Sequence, residues 1–138
     1  MIHIGMNIED KTSLISQMRR VLKIGTRFGV YDIIHVDDRP IRFPMPWAAS
    51  IETSFVEPTH AYRSFPGNAG FIIEKKSDLR ALALRLGREI HENAPKHDAP
   101  PLGMQAVMGA AASERLGNVM AALQQGIIAS IAIIARAV

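Results

Sequence analysis

The residues best suited to chemistry in this sequence are five histidines, a carboxylate inside an apolar run and a group of five basic side chains. There is no cysteine, which excludes a disulfide framework, a thiolate zinc site, an iron–sulfur cluster and a cysteine nucleophile together. Glu57-Pro58-Thr59-His60 has a Glu-x-x-His spacing that places two metal ligands on one helical face. That spacing has meaning only on a helix; Pro58 keeps the segment extended and no second copy exists, so no metal is expected there. His91 and His97, beside Glu92 and Asp98, fall around a helix end, where a polar cap is the expected role. Asp32 lies in an apolar stretch beside Tyr31 and near His35. Burial there would raise a carboxyl pKa and suit it to acid–base work, but the expected setting is the open face of a half-exposed strand or a pairing with arginine. His3 and His35 stand in no ligand pattern.

Gly67-Asn68-Ala69-Gly70 lacks a following Lys-Ser/Thr and precedes a strand, so it reads as a turn and not as a phosphate loop. Neither a Gly-x-Ser-x-Gly elbow nor a His-Glu-x-x-His motif occurs. The sequence therefore assigns no catalytic residue, no cofactor and no metal. Lys75, Lys76, Arg80, Arg85 and Arg88 form a basic stripe able to contact phosphates. Glu74, Asp78, Glu89 and Glu92 dilute it, which favours a solvated helix face over a nucleic-acid footprint. Residues 40–66 hold five of the eight prolines and five of the eight aromatics. Within that stretch Phe43, Trp47, Phe55, Tyr62 and Phe65 are candidate anchors of an extended contact arm.

The elements that must position these groups follow from periodicity. Residues 8–24 carry Leu14, Ile15, Met18, Val21 and Leu22 on one stripe, the pattern of an amphipathic helix, with Asn7 as N-cap and Gly25 as stop. Residues 28–36 are rich in β-branched and aromatic side chains and read as a strand. Alternation over 50–56 and the composition of 70–75 indicate two more strands. Ser77 begins a helix through about Asn93, with Leu79, Leu82, Ala83, Leu86 and Ile90 inward. The expected fold is α+β: a small, largely antiparallel sheet built from 28–36, 50–56 and 70–75, covered on one face by the two helices. Its core should contain Leu14, Met18, Val21, Leu22, Phe71, Ile73, Leu82 and Leu86. Residues 1–94 form this body, 95–103 a proline-rich linker or arm, and 104–138 an apolar helical segment.

Charge is spread thinly, 16 basic against 13 acidic residues in 138, but residues 101–138 contain only Glu114, Arg115 and Arg136. Between the two arginines Leu116, Met120, Leu123, Ile127, Ile131 and Ile134 step by three and four, as in a coiled-coil seam. A helix apolar around most of its circumference needs a partner. The expected function is therefore a non-enzymatic structural or assembly subunit of a homo-oligomer or larger particle, of which a viral or phage virion component is one kind. The alternatives are a small nucleic-acid-binding protein using the basic helix face, and a membrane-anchored protein using 116–135, a stretch long enough for a bilayer. Asn118, Gln124 and Gln125 weigh against lipid. The N-terminus lacks the pattern of a secretory signal, so the expected location is the cytoplasm or an assembled particle.

Overall fold

A computed structural model describes residues 1–58, 60–62, 69–93 and 104–138. Among these residues the helices and strands follow in the order α1 (Lys11–Val21), β1 (Arg27–His35), β2 (Phe71–Asp78), α2 (Arg80–Glu92), α3 (Met104–Met108), α4 (Ala112–Gln125) and β3 (Ile128–Ala137). Short 3-10 turns stand at Gly5–Asn7, Ile51–Thr53 and Gly109–Ala111. The α+β class and the antiparallel sheet are as expected, but the sheet has a different membership.

Its order is β1-β3-β2, with β3 antiparallel to both neighbours. The last strand of the sequence is thus the middle of the sheet, and β1 and β2 run parallel to each other on either side. This corrects the reading of 104–138 as one helix. α4 ends at Gly126, which takes the left-handed conformation (φ 70°) that glycine adopts without strain. The amide of Ile127 then bonds to the Ala122 carbonyl, and the isoleucine run continues as strand. It does not form an oligomer seam or a membrane span: among the described residues no helix is long and apolar enough to cross a membrane.

The strand expected at 50–56 is also corrected. Ile51–Thr53 is a 3-10 turn whose Ile51 side chain is exposed, so the alternation there lines no sheet. Helices lie on both faces of the sheet, not on one. Ile15, Met18 and Leu22 at α1 pack on the face made by Phe28, Val30, Ile34, Ile131, Ile133 and Phe71. On the other face Ala122 and Leu123 of α4, with Ala83 and Leu84 of α2, meet Ile33 and Ile128. Of the expected core, Phe71 is buried and Met18, Leu22 and Ile73 are partly so, whereas Val21, Leu82 and Leu86 are exposed. The buried apolar residue of α1 is Ile15, and Leu14 is half-buried.

Polar side chains fix the layers. Asp10, not Asn7, caps α1 by accepting from the Ser13 amide at 2.8 Å. Arg19 does more than complement the helix dipole. It donates to the carbonyls of Leu22, Gly70 and Val138, joining the end of α1 to the outer ends of β2 and β3. Asn118 and Arg115 of α4 donate to the carbonyls of Pro44 and Met45, which pins the proline-rich loop against that helix. Glu74 on β2 accepts from Arg27 on β1 (2.7 Å) and from Arg136 on β3 (2.8 Å), one carboxylate bridging all three strands.

Candidate functional site

In mostly parallel open sheets ligands gather beyond the carboxyl ends of the strands; here only the outer strands β1 and β2 share a direction, with β3 opposed between them. At that end of β1 the chain forms a shallow hollow of about 240 Å³, lined by His35, Val36, Asp37, Asp38, Pro58 and His60. His35 holds it from one side: its backbone amide bonds to the Glu57 carbonyl and its Nε2 lies 3.0 Å from the Arg39 carbonyl. Asp37 is gripped by Arg39, Oδ1 to Nε at 2.6 Å. The Arg39 hydrogen bonds hold the Asp37 carboxyl below the ordinary aspartate range, and the carboxylate in turn raises the guanidinium pKa. Arg39 also donates to the Gln125 carbonyl at the end of α4, so the rim of the hollow is tied to the opposite layer. Two imidazoles and two carboxylates facing an open hollow suit a small polar or cationic group. Among the described residues no three metal-ligating side chains converge.

A second polar cluster on β1 is buried. Asp32 is fully buried, accepting from the Tyr62 hydroxyl at 2.9 Å and from its neighbour's amide, Ile33, at 3.0 Å. This corrects the expectation of an open-face or arginine-paired carboxylate. Burial first, then the Asp32 charge and hydrogen bond, pushes the Tyr62 hydroxyl far above its ordinary pKa, so it stays a donor. Gly5 is required above it: a Cβ there would overlap both the Asp32 carboxylate and the Tyr62 hydroxyl. Lys11, also buried, donates from Nζ to the carbonyls of Ile8 and Phe55. Burial lowers its pKa against the opposing pull of Glu57, Asp32 and Glu9. These groups are buried, and through Lys11 they tie the chain at Ile8 to that at Phe55.

The residues singled out from sequence are dispersed. Leu116 and Met120 are half-buried on α4 and Leu123 is buried there. Ile127 follows the helix, Ile131 faces the α1 layer, and Ile134 lies on the opposite face of β3. Phe43, Trp47 and Phe55 are half-buried, with the Trp47 indole donating to Ser54, while Tyr62 belongs to the buried cluster. Phe65 lies outside the described residues, as do His97, Asp98 and the Gly67–Asn68 turn. Lys75 and Lys76 are on β2, and Arg80, Arg85 and Arg88 are on α2. The sequence reading missed Lys11, Tyr62 as partner of Asp32, and the His35–His60 hollow. The signal for the hollow was a histidine and two aspartates directly after a β-rich run.

No protein-family model and no curated protein sequence matches the chain. Solved structures do. The geranyl diphosphate C-methyltransferase of Streptomyces coelicolor, solved with Mg2+, geranyl diphosphate and S-adenosyl-L-homocysteine, superposes with a TM-score of 0.67 at 16% identity over 99% of this chain. A putative sarcosine dimethylglycine methyltransferase from Galdieria sulphuraria gives 0.68 at 16% identity over 97%, and the [4+2]-cyclase SpnF 0.61 at 16% over 99%. The chain has a methyltransferase-like fold. It spans 46%, 50% and 47% of those three chains, about half the length of each. This overturns the reading as a non-enzymatic structural subunit, a virion component included: the chain shares its fold with enzymes, and the helix on which that reading rested is half core strand.

The fold brings an adenosyl cofactor into question, and the described residues offer no glycine-rich cradle for one. Close approach of a backbone to a nucleotide cofactor in such sheets relies on a glycine-rich strand-to-helix turn. The ten glycines contain no Gly-x-Gly-x-x-Gly, β1 runs on into Val36-Asp37-Asp38-Arg39, and β2 enters α2 through Asp78 and Leu79.

Proposed function

We propose that this chain is a methyltransferase-like domain that supplies the acceptor side of a methyl-transfer site, the cofactor being held by protein outside its own residues. The observation that carries the reading is the superposition of 97–99% of the chain on about half of several methyltransferases. The hollow at the carboxyl end of β1 supports it, because His35, His60 and Asp38 line it with polar groups able to hold a small acceptor. Fold alone does not fix chemistry, and the cyclase among the matches makes that concrete. The test uses a chimera in which this chain replaces the matching half of the S. coelicolor enzyme. Calorimetry should show S-adenosyl-L-homocysteine binding to the chimera with a dissociation constant below ~100 μM, and no binding to the chain alone. A chimera that is folded by circular dichroism and binds no S-adenosyl-L-homocysteine overturns the reading.

A further inference from the structure

Among the described residues, α2 packs on its flank and leaves its most apolar stripe open. Ala83 and Leu84 of α2 meet the core, and Gly87 lies so close to Met120 of α4 that a Cβ would overlap its thioether. A quarter-turn around the helix, Leu82, Leu86 and Ile90 follow one another at intervals of four, 37%, 44% and 72% exposed. Helical residues four apart stand one above the other, so these three make one continuous ridge. Soluble proteins scatter single apolar side chains over their surfaces, but a contiguous ridge marks a contact site.

The charges beside the ridge indicate what covers it. Arg85 and Glu89 lie along one side of it, 3.7 Å apart and 63% and 54% exposed. A two-fold contact places the same surface on both partners, so each charged group must find its complement within its own patch. In an antiparallel pairing of two such helices, like flanks face each other. A two-fold axis at Leu86 sets Leu86 against its own copy and Leu82 against Ile90 of the second copy. It also brings Arg85 within reach of Glu89 of the second copy, twice. The sign pattern is self-complementary about Gly87, one residue and so about 1.5 Å of helix rise from the centre of the apolar ridge at Leu86.

We propose that α2 is the surface through which this chain pairs with a second copy of itself, ridge to ridge and antiparallel. The contact is independent of the methyl-transfer reading and moves the expected self-association from residues 116–138 to α2.

Sedimentation equilibrium of the full chain tests it. The wild type should dimerise with a dissociation constant in the range of tens of micromolar, about 6–7 kcal/mol at the standard state. Ile90→Glu should leave only monomer, with circular dichroism unchanged because the side chain is exposed. Arg85→Glu should weaken the dimer by about tenfold or more, since it sets the new carboxylate against that of Glu89 across the axis. Adding Glu89→Arg to that variant should restore wild-type affinity. A wild type that stays monomeric at ~200 μM, a dimer indifferent to Ile90→Glu, or a double variant no tighter than Arg85→Glu each overturns the proposal.

Discussion

Asp32 shows how far residue chemistry is legible from sequence alone. Its position in an apolar run raised the question of burial, but the expected setting was an open strand face or an arginine pair, because the partner, Tyr62, is 30 residues away behind a proline-rich stretch that carries no periodic signal. Removing the hydroxyl would leave a buried carboxylate short of a donor. Tyr62→Phe should therefore destabilise the chain by about 1.5–3 kcal/mol in urea unfolding, the range for hydrogen bonds to charged groups. Lys11 gave no signal at all, since a lysine at the start of an amphipathic helix is ordinarily solvated. Its burial lowers the folded-state pKa below 10.5. The unfolded chain therefore binds that proton more tightly, and stability rises with pH between the folded and unfolded pKa values. Tyr62 acts in the opposite direction, but only above pH 10.0, because its own pKa is raised. Comparing Lys11→Met with wild type below that pH isolates the lysine: the variant should lack the alkaline rise in urea-unfolding free energy. An equal rise in both would place the proton elsewhere.

At the scale of elements, periodicity located α1, β1, β2 and α2 to within a few residues and failed at β3. A central strand is buried on both faces and reads as an unbroken apolar run, which periodicity does not separate from a buried helix. Three- and four-residue steps between isoleucines were fortuitous: Ile131 and Ile134 lie on opposite faces of the sheet. The discriminating signals were composition and one glycine. Five isoleucines fall between 127 and 134, a β-branched density that favours strand, directly after Gly126. Alternation over 50–56 misled for the converse reason, because a short polar–apolar pattern also suits a turn on the surface. Ile131, 1% exposed and paired with both Asp32 and Asp78, decides between the two structures of this segment. Ile131→Ala should cost about 2–5 kcal/mol as a core truncation, read by urea unfolding. Were 116–138 an exposed oligomer helix, the same change would shift the association state and spare the monomer's stability.

At the scale of the whole molecule, β1 is built as an interior strand and stands at the edge of the sheet. Residues 32–34 are buried on both faces, as in the middle of a larger sheet, and the structures it resembles continue for about as much chain again. What protects the outer edge is the chain itself. Met1 and His3 bond to the Tyr31 backbone, Glu57 bonds to the His35 amide, and the Asp32 side chain turns back onto the Ile33 amide between them. Ile2 and Pro58 each form a single parallel bridge there. An apolar strand with free amides and carbonyls is a template for pairing with other chains. Deleting residues 1–3 should therefore uncover Gly29 and Tyr31 and make the protein aggregate faster at 37 °C, read by light scattering and thioflavin fluorescence. Replacing the same residues by three alanines, which keep the backbone bonds while losing the side chains, should restore most of the wild-type behaviour. If the alanine variant aggregates as fast as the deletion, the protection resides in the side chains of Met1 and His3, the latter stacked edge-on against Tyr31, and not in the paired backbone.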